Sequence, residues 1–110
     1  MQNLLKNKLN AVKKLRNEKV KNEEQVMELY VHEIGWLVLL LEDVEVVTDN
    51  WFTSTKYVKS EFDCEDDGTF INIKNVYVEN KTSIHTGSNP KYNLLFEEIM
   101  LFSDQIIACL

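Results

Sequence analysis

The sequence predicts an α+β domain: two N-terminal helices, a small antiparallel β-sheet of two to three strands, and a C-terminal helix, the helices packed on one face of the sheet. Three observations predict it. Apolar residues recur every three or four positions in residues 3–20 and 22–44, and again in the last twenty residues. Between these stretches, residues 52–79 are rich in Thr, Tyr, Val, Ile and Phe, with partial alternation. One proline and three glycines in 110 residues favour long ordered elements over linkers, and the length suits a single domain, 1–110.

The first element, residues 1–21, carries Leu4, Leu5, Leu9, Val12, Leu15 and Val20 at helical spacing with lysines between them, a basic amphipathic helix. Asn22 can cap a second helix, with Glu23 and Glu24 in its first turn, where carboxylates favour the positive end of the dipole. Over 22–48 this central helix would present Val26, Tyr30, Ile34, Leu37, Leu41 and Val44 on one face, with Gly35 as a local cost. Its end is ambiguous: Val44, Val46 and Val47 are β-branched and equally suit the start of a strand, so residues 42–50 fit either state.

Antiparallel strands are expected over 51–80. Within 69–79, Ile71 and Ile73 are followed by Val76 and Val78. The phase slips by one across Lys74-Asn75, which calls for a bulge or a tight turn there. Residues 80–90 read as a polar loop. Asn89-Pro90 then reads as an N-cap and first helical residue, opening a helix over 89–110 with Leu95, Ile99, Phe102, Ile106 and Cys109 on one face.

Charge is distributed unevenly. Residues 1–22 carry a net +6 and the remaining 88 carry −12. The carboxylates concentrate at EFDCEDDG, where Glu61, Asp63, Glu65, Asp66 and Asp67 precede Gly68. A calcium loop starting at Asp63 would need a bidentate glutamate at its twelfth position, which is Lys74. An Asp-Gly hairpin turn explains the glycine instead. These carboxylates are then solvated, or they face a cationic partner. The cations Lys6, Lys13, Lys14, Arg16 and Lys21 could contact phosphates or a second copy of the chain, with Leu5, Leu9 and Val12 packing on that copy. The helix has no aromatic for stacking and the body would repel DNA, so direct nucleic-acid binding is disfavoured.

Little points to catalysis. Of the two histidines, His32 falls four residues after Glu28 on the expected second helix, a surface ion pair, and His85 lies in the polar loop. Cys64 and Cys109 lack zinc-like spacing and suit a reducing compartment. The three glycines cannot form a phosphate loop. No enzyme, metal or cofactor is expected. The longest apolar run, residues 34–41, is too short to span a bilayer, and the N-terminus does not resemble a secretion signal, so a cytoplasmic location is expected. Eleven lysines against one arginine suit an AT-rich genome, such as a low-GC bacterium or a phage infecting one.

The function that best fits is a small acidic protein-binding inhibitor. It would occupy a basic site on a nucleic-acid-handling protein, of the phage anti-defence or toxin-immunity kind, through Glu61, Asp63, Glu65, Asp66 and Asp67. The alternative is an oligomeric structural or adaptor protein, such as a homodimer. A small-ligand pocket lined by Trp36, Trp51, Tyr57 or Tyr77 ranks below both.

Overall fold

The computed structural model describes residues 3–47, 54–64, 69–79 and 92–110. Among them the chain is mainly β, with one α-helix and eight strands. The predicted α+β arrangement is corrected: there is one N-terminal helix rather than two, no C-terminal helix, and a six-stranded main sheet rather than two or three strands.

Helix α1 spans Asn3–Lys21, where the sequence places its first helix. It stops at a left-handed residue. Glu23 has φ 61°, its N–H donates to the Val20 carbonyl at 3.1 Å, and the Glu24 N–H reaches back to the Lys19 carbonyl at 2.9 Å. This pair of bonds is a Schellman cap. Asn22 and Glu23 therefore close a helix instead of opening one.

The expected central helix is a β-hairpin, β1 (Val26–Val31) and β2 (Gly35–Leu40), paired from Val26 opposite Leu40 to Val31 opposite Gly35. Burial along β1 alternates: Met27, Leu29 and Val31 are buried and the residues between them are half-buried. The turn between the strands uses Glu33 at φ 68° and Gly35 at φ 103°. Gly35 is therefore a turn residue, free of the steric penalty that a side chain meets at positive φ. The ambiguous stretch near residue 44 is a strand. β3 (Val44–Val47) pairs with β4 (Ser54–Tyr57) in a separate two-stranded sheet.

β5 (Glu61–Cys64) and β6 (Phe70–Glu79) are antiparallel, with Cys64 opposite Ile71. Glu61 and Asp63 of the acidic run thus lie on a strand of an antiparallel pair. The expected C-terminal helix is a long strand, β7 (Tyr92–Phe102), then a 3-10 turn at Ser103–Gln105, then β8 (Ile106–Cys109). The Asn89-Pro90 cap falls outside the described residues.

The main sheet runs β5-β6-β2-β1-β8, with β7 on the other side of β6. β6 serves two neighbours on one side: β5 along Ile71–Lys74 and β2 at Val76–Tyr77. The change occurs at Asn75, whose φ is 60°. Burial shifts there from Ile71 and Ile73 to Val76, as the phase slip in the sequence requires, within one continuous strand; the register against β7 slips further on, between Val76 and Tyr77, where β7 carries one extra residue. Ser60 locks the junction. Its Oγ accepts from the Leu40 N–H and donates to the Asn75 carbonyl, while its own N–H donates to the Leu40 carbonyl. β2 thereby hands over to β5, and residues 41–59 form an excursion carrying the β3–β4 hairpin.

In a flat sheet β7 and β8 would stand four strand spacings apart, about 19 Å. Only three residues connect them, about 6 Å as a 3-10 turn. The sheet must therefore curl. Its concave face buries Met27, Leu29, Val31, Leu37, Leu39, Ile71, Ile73, Val76, Leu101 and Ile106 beneath Leu9 and Val12 of α1. A smaller cluster on the other face joins Val38, Leu40, Tyr57 and Tyr77 under the β3–β4 hairpin. No helix among the described residues is long and apolar enough to cross a membrane.

Candidate functional site

β5 alternates side chains across the sheet. Phe62 turns toward the concave core, while Glu61 and Asp63 are exposed on the opposite face. Register carries the pattern outward: Glu61 lies opposite Lys74, which lies opposite Glu98 of β7. Glu61, Asp63 and Glu98 thus flank one lysine around a depression of about 360 Å³, with Asn72 in its wall.

A second depression, about 520 Å³, adjoins it at Glu61 and Phe62 and is lined by Arg16, Val20, Leu41 and Lys59. Arg16 lies over the Phe62 ring, its guanidinium carbon 4.3 Å from the ring centroid, a cation–π contact that also anchors α1 to β5. A third depression, about 390 Å³, continues past Val20 and Leu41 to Glu23, Glu24 and Glu42. The three are contiguous through shared residues, and the second and third lie beside the C-terminal half of α1 while the first extends the belt across β5, β6 and β7. Along it stand six carboxylates (Glu23, Glu24, Glu42, Glu61, Asp63 and Glu98) and three cations (Arg16, Lys59 and Lys74). Lys19 adds a fourth cation at the margin, 3.4 Å from Glu24.

The sequence-derived candidates scatter across this picture. Glu61 and Asp63 are in the belt. Glu65, Asp66 and Asp67 lie outside the described residues, as do Trp51 and His85. Arg16, expected to contact phosphate or a second copy, shares a depression with Glu61. Lys13 is half-buried on α1, and Lys14 and Lys21 are exposed. Lys6 belongs to α1, but its side chain is outside the described set. Leu9 and Val12, 1% and 2% exposed, pack into the chain's own core rather than on a partner. The structure also adds Glu23, Glu24, Glu42 and Glu98. Their signal in the sequence was only their charge, because the turn, the excursion and β7 that gather them are tertiary features.

The pairing expected between His32 and Glu28 is corrected. With a hairpin in place of a helix, His32 occupies the β1–β2 turn, and its Nε2 is 3.8 Å from Glu33 Oε1. Tyr57 and Tyr77, weighed as pocket residues, are core: their rings meet edge to face at 5.7 Å, and the Tyr77 hydroxyl donates to the Val58 carbonyl and accepts from its N–H. Trp36 is partly exposed and packs edge-on against Tyr30 at 5.1 Å. Burial pushes the Cys109 thiol above its ordinary value, with Lys19 pulling it back. Among the described residues no three His, Cys, Asp or Glu side chains are grouped to hold a metal ion.

What this arrangement offers chemically is a fixed array of carboxylates, most of them on or beside hydrogen-bonded strands and a capped helix end. Compared with known proteins, the chain matches no family model, no curated protein and no solved structure.

Proposed function

We propose that the chain is a non-catalytic protein-binding inhibitor whose acidic belt engages a basic surface, of the kind that nucleic-acid-handling proteins present to phosphate. The observation that carries this reading is the excess of carboxylates over cations along three adjoining depressions. Carboxylates fixed on a strand need little ordering on binding, and like-signed charge in a groove speeds encounter with an oppositely charged partner. A cytoplasmic setting, in a bacterial or phage-infected cell, goes with this reading and rests on the lone cysteines and the lysine-rich composition.

The test begins with a tagged pull-down from nuclease-treated host lysate, followed by calorimetry with the purified partner. The reading requires a basic partner whose affinity falls with salt. The double variant Glu61→Lys/Asp63→Lys should weaken binding by at least about tenfold, or roughly 1.4 kcal/mol. Its melting temperature should stay near that of the wild type, since both side chains are exposed. Salt-independent binding that ignores the double substitution would remove the acidic belt from the interface.

A further inference from the structure

The outward side of α1 carries a stripe of uniform character. Asn10, Lys14, Asn17 and Lys21 recur at steps of four, three and four residues, so they share one face of the helix, and all four are exposed. Leu9 and Val12, on the inward face, are buried in the core. The single carboxylate of the helix, Glu18, lies off the stripe. Among the described residues neither Lys14 nor Lys21 forms an ion pair.

The stripe borders the acidic belt. Asn17 lines the second depression together with Glu61, and Val20 lines both the second and the third. Val20 is a large apolar side chain left 53% exposed, and Leu41 lines the same two depressions. Three kinds of surface thus lie side by side: a lysine stripe without a carboxylate, an apolar spot at Val20 and Leu41, and a belt in which six carboxylates outnumber three cations.

A surface of this kind is complementary to itself. A twofold rotation about an axis near the apolar spot brings the positive side of each copy over the negative side of the other, and both contacts form at once. We infer that the chain forms a twofold homodimer, the Lys14 and Lys21 stripe of each copy lying on the acidic belt of the other, with Val20 and Leu41 near the axis. The arrangement has the anatomy of a small interface, apolar at its centre and polar at its rim. The net charge of −6 on each chain opposes approach from afar. At physiological salt, charges more than about 8 Å apart are largely screened, so the groups in contact decide. Two chains satisfy both contacts, and growth stops there. The inference uses the belt but needs no foreign protein, so it is decided separately from the inhibitor reading.

Sedimentation velocity of the full chain over a concentration series, at low and at high salt, tests it, with circular dichroism to verify folding. The wild type should pass from one chain to two and no further, and the dimer should weaken as salt rises. Lys14→Glu/Lys21→Glu reverses the stripe and Glu61→Lys/Asp63→Lys reverses part of the belt; all four side chains are exposed. Every change counts twice in a twofold contact, so each variant alone should dimerise at least about tenfold more weakly. The mixture of the two is decisive. The reversed stripe then meets the reversed belt and the native stripe meets the native belt, so a one-to-one heterodimer should form. If a double variant fails to fold, Lys14→Glu and Glu61→Lys replace the pair. A wild type that stays monomeric at its solubility limit in low salt would overturn the inference. So would growth beyond two chains, association indifferent to salt, or reversed variants that do not pair with each other.

Discussion

At Glu23 a single residue decides where a helix ends. A side chain in the left-handed region costs about 1–2 kcal/mol, and this position has φ 61°. The Schellman cap holds it there because the bonds to Val20 and Lys19 satisfy carbonyls that the helix would otherwise leave open. Glu23→Gly should therefore stabilise the protein, by about 0.5–1 kcal/mol once the greater freedom of glycine in the unfolded chain is subtracted. Urea denaturation at unchanged m-value checks this. Cys109 gives a second expectation. Its thiol holds its proton more tightly in the folded chain than in the unfolded one. Below its ordinary value of 9.0 both states are protonated and the full stability is present. Above that value the unfolded state loses the proton first, so stability falls as pH rises. The melting temperature of the wild type should drop relative to Cys109→Ala as pH climbs past about 9, a comparison in which the tyrosines and lysines cancel.

At the scale of elements, helix and strand compete in apolar stretches. In 26–31 nearly every residue is apolar, so the 3.6-residue and two-residue periods both find matches. The hairpin prevails because its strands bury Met27, Leu29 and Val31 with Leu37 and Leu39 on one face and pair with β6 and β8 at their outer sides. The signal that could have shown it was Gly35 just beyond a polar His-Glu pair, which reads as a turn. The last twenty residues are ambiguous for the same reason, and β7 is a strand because β6, ten residues long, offers it a template over nine paired positions. Helix α1 was legible because only one of its faces is apolar. That face closes the core: Leu9 is 1% exposed. Leu9→Ala should cost about 2–5 kcal/mol, whereas exposed Lys14→Ala on the same helix should stay within about 0.5 kcal/mol; thermal or chemical unfolding measures both.

At the scale of the whole molecule, the helix and the curled sheet share one core, since Leu9 and Val12 are buried among residues of β1, β2, β6, β7 and β8. They should unfold together. Helix content followed by far-UV circular dichroism and Trp36 fluorescence, in a Trp51→Phe background, should give coincident denaturation curves. A helix that melts first would mean that α1 caps a sheet able to stand alone. The same closure gathers the acidic belt, whose carboxylates come from the helix cap, the excursion after β2, β5 and β7.

The sequence by itself determined the local features that one residue type or one clean period dictates. The first helix has a single apolar face. The slip at Lys74-Asn75 calls for a local break in the strand's alternation, and Asn75 takes a left-handed backbone there. Two strands flank the acidic run. The charge imbalance between residues 1–22 and the rest is likewise a property of sequence alone. Tertiary structure decided the remainder. Whether residues 22–44 and 92–109 became helix or strand depended on which partners could cover both sides of each segment, because a strand's hydrogen bonds come from neighbours distant in sequence while a helix makes its own. The belt depends on that outcome, since it exists only where the curled sheet places its strands.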